Sequence, residues 1–174
     1  MKTICLSLLI ALTFFSCKKD STETTFGIKC NIDGVPKTFN IMMNARREED
    51  NGYKTVIFQG LNNGSSEEYF AAAIINMPSK KEITAGTYVD ASGDFELLFT
   101  YALSYSGFEY EAGTTLYKEA QYRRISISNP LKFTITSISN DAIKGTFSGD
   151  FYHEADPGGE KKSITNGEFA VKFQ

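Results

Sequence analysis

The chain has 174 residues, 41% hydrophobic and 22% charged, with a formal net charge of −3, one His and no Trp. That length buries one core without staples. A mildly acidic chain with no basic run excludes nucleic-acid binding, which rests on phosphate neutralisation; Lys80-Lys81, Arg123-Arg124 and Lys161-Lys162 are scattered pairs.

The first element is a leader. Lys2 supplies a positive n-region, and Ile4 to Phe15 an apolar core of about twelve residues, the length of a signal h-region. A transmembrane helix needs about twenty. Ser16 is the small residue before a cut, and Cys17 follows it. The segment resembles a lipobox with Phe14 in place of the usual Leu, a form similar to that of Bacteroidota lipoproteins. The resemblance implies cleavage after Ser16 and a lipidated Cys17. It makes the membrane a partner through a lipid anchor, since two or more acyl chains hold stably. Lys18 to Thr25 has no apolar residue and reads as a polar tether reaching about 25 Å at full extension. Lys18 is not the Asp that marks inner-membrane retention, so the expected address is the outer membrane, on its periplasmic or cell-surface face. The expected organisation is signal peptide 1–16, lipidated Cys and tether 17–25, and one β domain 26–174.

Cysteine usage follows from this. Cys5 leaves with the leader and Cys17 carries lipid, so Cys30 is left alone and no intrachain disulfide forms. Phe26, Ile28, Cys30 and Ile32 alternate, which places Cys30 on the apolar face of a strand as a small hydrophobe.

Period two continues almost throughout. Asp33-Gly34 signals a two-residue hairpin, and Val35-Lys37-Phe39-Ile41 returns from it. Arg46 to Gly52 reads as a charged loop. Lys54 to Leu61 is a strand, Asn62 to Ser66 a turn, and Tyr69 to Asn76 a strand apolar on both faces, as a central strand would be. Thr87 to Asp90 and Phe95 to Leu103 follow as strands. Residues 105–120 show no sustained period and read as a long loop or irregular hairpin. Tyr122 to Ser128, Leu131 to Ser139, Ala142 to His153 and Ser163 to Phe173 complete a meander. Its turns lie at Asn129-Pro130, Asn140-Asp141 and Asp156 to Gly159. The expected fold class is all-β: an antiparallel β-sandwich or barrel-like meander of about nine to eleven strands, with no substantial helix after the leader.

ITAGTY (Ile83 to Tyr88), FTITSISNDAIKGTFSGDF (Phe133 to Phe151), ITNGEFAVKF (Ile164 to Phe173) and CNIDGVPKTFN (Cys30 to Asn40) resemble small all-β lipoproteins of the Bacteroidota. The resemblance implies a β domain of unknown function and carries over no active-site residue. Gly145, Gly149 and Gly167 sit inside strand-like runs, where Gly marks a bulge or a close backbone approach.

Chemistry is thinly represented. His153 beside Glu154 and Asp156 is the one His, too few for a multi-His zinc site. No G-x-S-x-G elbow, phosphate loop or EF-hand loop is present. Asp94 with Glu96, or Glu109 with Glu111, are candidate carboxylate pairs for a glycosidase. Glu48-Glu49-Asp50-Asn51 offers oxygen ligands without a known Ca²⁺ spacing. These patterns are more simply solvated acids, so no catalytic residue, metal or cofactor is expected. Tyr residues cluster near 105–120, and Tyr105, Tyr110 and Tyr117 are the candidate ligand-binding residues, since Tyr presents a ring with a polar tip. The expected function is a non-catalytic, membrane-anchored domain that binds a glycan or an envelope or extracellular protein. The alternatives are a glycan-active hydrolase using strand carboxylates or His153, and an assembly or inhibitor protein with no small ligand.

Overall fold

Asp33 and Gly34 have φ of 49° and 81°, the paired positive values of a type I′ turn that matches strand twist. They join β1 (Gly27–Ile32) to β2 (Val35–Asp50). The computed structural model describes residues 25–62, 64–76, 82–89, 94–103 and 109–174. The leader, Cys17, most of the tether and Tyr105 lie outside the described residues.

Asn51 and Gly52 repeat the turn, with φ of 50° and 82°, and lead into β3 (Tyr53–Asn62). Then come β4 (Ser65–Asn76), β5 (Gly86–Val89), β6 (Phe95–Ala102), β7 (Glu109–Gly113), the helix α1 (Thr114–Arg123), β8 (Lys132–Ile138), β9 (Ala142–His153) and β10 (Lys161–Lys172). All ladder pairings between named strands are antiparallel.

The strand order is β10-β1-β2-β3-β4-β6-β7-β9-β8-β5, and β9 also pairs with β10. The sheet therefore closes into an eight-stranded barrel, with β8 and β5 branching from it. Between sandwich and barrel, closure decides for the barrel. The seam is narrow. β7 meets β9 only at Tyr110↔His153 and Glu111↔Tyr152, while β8 takes the edge of β9 up to Ser148.

Inward positions are filled by rings. Phe58 and Phe169 stack at 4.5 Å, Phe70 lies 4.8 Å from Phe147, and Phe99 lies 5.0 Å from Phe133. All six are buried, and each contributes about 1.5–3 kcal/mol by leaving water. Cys30 is buried among them as expected, and burial pushes its thiol up to about 12, with Lys37 pulling weakly the other way.

Three local readings are corrected. Arg46 to Asp50 is strand: Arg47↔Val56, Glu48↔Thr55 and Glu49↔Lys54 pair across to β3. Both faces of this outer stretch are charged because it runs beyond the core. Residues 109–120 are not loop but β7 and most of α1, and Tyr122 to Ser128 is the helix end and a coil instead of a strand. A ten-residue helix thus stands where none was expected.

The barrel has two distinct ends. The chain enters at Gly27, beside the β2–β3 and β8–β9 turns and the C-terminus. The opposite end gathers Asp33-Gly34, the β3–β4 turn, the end of β6 with the start of β7, and the turn between β9 and β10.

Candidate functional site

α1 begins at Gly113, whose φ is +126° and where a Cβ would stand 2.0 Å from the Leu97 carbonyl oxygen. Only Gly permits that turn. Gly113 offers no side-chain cap. The Thr114 hydroxyl instead accepts a hydrogen bond from the Leu97 N–H at 2.9 Å, which fixes the helix start to β6. Leu116 and Ala120, four residues apart and both buried, form the packed face.

The helix ends on Arg124 in the left-handed region at φ 58°. The Arg124 N–H donates to Gln121 O at 3.1 Å and the Ile125 N–H to Ala120 O at 2.8 Å, a Schellman end. Arg123 pairs with Asp156, which also accepts from the Gly158 N–H at 3.0 Å. The Gly158 N–H, and then Arg123, hold the Asp156 carboxyl below the usual range. The helix terminus is thereby tied to the turn after β9.

Asp150 organises the coil that follows. It is 3% exposed, on the outer face of β9. Its carboxylate accepts from Lys161 Nζ at 2.5 Å, Ser128 Oγ at 3.1 Å and Asn129 Nδ2 at 3.4 Å. Its N–H donates to Asn129 O at 2.8 Å. Burial alone would raise this carboxyl; the bonds from Lys161, Ser128 and Asn129 outweigh it and hold the group low.

These constraints leave a groove of about 500 Å³ on the barrel wall, lined by Val89, Tyr117, Asn129, Pro130, Leu131, Lys132 and Ser148. Tyr117 is half-buried, Val89 and Pro130 are exposed, and Lys132 stands exposed beside them. A ring, an aliphatic surface, an amide, a hydroxyl and an ammonium face one hollow. That set can stack an apolar sugar face and hydrogen-bond hydroxyl or carboxylate groups.

Of the sequence-selected tyrosines, the two that are described, Tyr110 and Tyr117, are not brought together. Tyr110 faces the barrel interior, 3% exposed. Its hydroxyl donates to Glu160 Oε1 at 2.8 Å, and its ring lies 6.2 Å from Tyr101 and 5.6 Å from His153. Lys162 sits 5.3 Å over the same ring and 3.3 Å from both Asp33 and Glu160. Nearby, Lys37 pairs with Glu68 at 2.8 Å, and Asn62 Nδ2 donates to Glu68 at 2.5 Å. This cluster closes the far end of the barrel with paired charges. Tyr117, by contrast, lines a groove on the outside.

The acidic pairs occupy different places. Asp94 and Glu96 stand at the start of β6, at the barrel end where the chain enters, whereas His153 ends β9 at the other. Glu109 and Glu111 share the outer face of β7. Glu109 accepts from the Tyr69 hydroxyl at 2.7 Å, and partial burial followed by Glu109 pushes the Glu111 carboxyl up. Glu48 accepts from Arg46 Nε at 2.6 Å. Among the described residues no His, Cys, Asp and Glu group of three or more is spaced to hold a metal.

The groove residues Asn129, Pro130, Lys132 and Ser148 drew no attention in the sequence. They converge through the fork of β9 into β7 and β8, and Asn129-Pro130 read only as a turn.

Comparison with protein-family models, with curated proteins and with solved structures finds no match to this chain.

Proposed function

We propose that this chain is an outer-membrane lipoprotein, anchored through Cys17, whose β-barrel binds a glycan on its outer wall beside α1. The observation that carries the binding half is the groove around Tyr117, set against an interior already occupied by its own rings. A filled barrel leaves no room for a ligand in the lumen, so recognition falls to the exterior. Tyr117 supplies the stacking face, with Val89 and Pro130 extending the apolar floor. Asn129 and Ser148 supply hydrogen bonds, and Lys132 favours an acidic sugar. The barrel itself is scaffold, and the groove residues are held by Asp150 and by the helix end.

The anchor rests on the leader: a short apolar run, Ser16-Cys17 and a polar stretch before Phe26. Consistent with a tether on one side, residue 26 packs against Lys172 at the barrel end opposite the charged cluster. Calorimetric titration with neutral and uronic-acid-containing oligosaccharides tests the binding half. Saturable binding that Tyr117→Ala abolishes supports the reading. Binding unaffected by Tyr117→Ala and Lys132→Ala would overturn this site.

A further inference from the structure

The hollow beside α1 does not end at Lys132 and Ser148. The same two residues line a second hollow of about 620 Å³ on the outer wall, together with Thr134, Thr146, Thr165 and Glu168. Register explains the continuity. Lys132 lies opposite Ser148, Thr134 opposite Thr146, and Thr146 opposite Glu168 on its other side. These residues form two adjacent rows across β8, β9 and β10. The coil before β8 reaches the first row because Gly149 carries no side chain: a Cβ there would stand 2.9 Å from the Leu131 Cα. The far side is shaped by the register shift between Ile164 and Gly167, which leaves Thr165 and Asn166 exposed in succession.

Hydroxyls dominate this second hollow. Thr134, Thr146, Ser148 and Thr165 supply them, and the Thr134 hydroxyl meets that of Thr87 on β5 at 3.0 Å. Branching at Cβ restricts χ1 of threonine, so these hydroxyls are presented at little cost in side-chain entropy. Phe147 borders the hollow but is buried, so stacking stays with Tyr117. Charge sits at two corners. Lys132 lies near α1, and Glu168 faces Lys29 across the β1–β10 ladder. Lys132 and Glu168 are two strands and two residues apart, about 12 Å along the sheet. A carboxylate is favoured at Lys132. Beyond it, where Lys29 balances Glu168, the surface suits uncharged hydroxyl groups.

On the glycan reading of the Tyr117 groove, we infer that the site takes several consecutive residues of a polysaccharide chain and not a single sugar. One residue stacks on Tyr117, an acidic neighbour meets Lys132, and the next residues lie along the hydroxyls of Ser148, Thr146 and Thr165. The stretch from Lys132 to Glu168 is longer than one pyranose ring, and a monosaccharide on Tyr117 would leave it bare. Each added residue brings its hydrogen bonds to a chain already held at Tyr117, so affinity climbs with length.

Calorimetric titration of the full chain in detergent tests the length. The probes are the disaccharide and hexasaccharide that alternate glucuronic acid and N-acetylglucosamine, with neutral cello-oligosaccharides of the same two lengths. The acidic hexasaccharide should bind about tenfold tighter than the disaccharide or better. Thr146→Val combined with Thr165→Val, both exposed positions where side-chain shape is kept, should remove most of that gain and leave the disaccharide affinity unchanged. Equal affinity for the two lengths, or a gain that survives the double variant, overturns the extended site and leaves the Tyr117 groove standing. The neutral series should bind more weakly; equal binding overturns the acidic residue at Lys132. Tyr117→Ala should abolish binding at both lengths. If neither series binds at either length, the groove itself is overturned, and the extended site with it.

Discussion

The ring of Phe147 lies flat over Gly167, its partner across the β9–β10 ladder: a Cβ at Gly167 would stand 2.7 Å from the ring and 2.4 Å from the Phe147 carbonyl oxygen. Two residues on, the arrangement inverts, and the Phe169 ring covers Gly145 at 2.6 Å from where a Cβ would be. Each Gly removes a side chain so that the opposing ring can lie on bare backbone, which bends the barrel wall tightly at its aromatic centre. Just before the first of these pairs the ladder shifts register, between Ile164 and Gly167, with Asn166 at φ 52°. This is the bulge and close approach that the Gly positions led one to expect.

These pairs predict an order of sensitivity. Gly145→Ala and Gly167→Ala should each destabilise by about 2–3 kcal/mol, since neither the backbone nor the ring can yield. Gly34→Ala has open space around it but a φ of +81°, and should cost about 1 kcal/mol. Phe169→Ala should cost about 3–5 kcal/mol by opening a cavity. Urea unfolding of the four variants checks the ranking.

Asp150 predicts a pH dependence. Its carboxyl is held below the ordinary value in the folded state, so its contribution is present above the unfolded pKa and is lost as pH falls through the folded pKa. Asp150→Asn should cost about 1–3 kcal/mol at pH 7, the range for hydrogen bonds to a charged group. The difference from wild type should shrink as pH falls below about 4, where the unfolded carboxyl begins to protonate. Thermal unfolding from pH 7 to pH 2 measures it. A constant gap across that range would contradict the assignment.

Arg124 occupies the left-handed position that ends α1, where Gly is the usual residue. Its side chain is exposed, so little is lost with it. Arg124→Gly should therefore stabilise the protein by about 0.5–1 kcal/mol, and amide exchange within α1 should slow. A faster-exchanging helix would show that the arginine side chain matters more than its backbone.

Most of the barrel was legible because period two survives wherever one strand face meets the core. Phe95-Leu97-Phe99-Tyr101 and Ile143-Phe147-Phe151 announce both strand and inward face. α1 was hidden for a physical reason. It buries just Leu116 and Ala120 with Thr114, starts without a capping side chain and follows a Gly chosen for sheet contact. β4 was misleading in a subtler way. YFAAAIIN was expected to be apolar on both faces as a central strand, and it is central, yet its outer face meets no second layer among the described strands. The groove was least legible, because its polar residues come from three separate segments joined by the β9 fork. Of the three tyrosines, Tyr117 reached the outside because it sits on that unforeseen helix, and Tyr110 turned inward by strand alternation.

Tyr117 and Tyr110 accordingly separate binding from stability. Tyr117→Ala should destabilise by no more than about 1 kcal/mol, the ordinary effect of a point substitution, and abolish oligosaccharide binding. Tyr110→Phe removes the hydroxyl bonded to Glu160 and should cost about 1 kcal/mol without changing oligosaccharide affinity. Paired titration and unfolding of both variants check this, and the opposite pattern would move the site to the barrel end.

Mass spectrometry of the mature chain purified from membranes tests the central claim most directly. The account predicts an N-terminal peptide that begins at Cys17 and carries a diacylglycerol on the thiol and an acyl chain on the amine, with both lost in Cys17→Ala. A chain that begins elsewhere, or a Cys17 bearing no lipid, would contradict it.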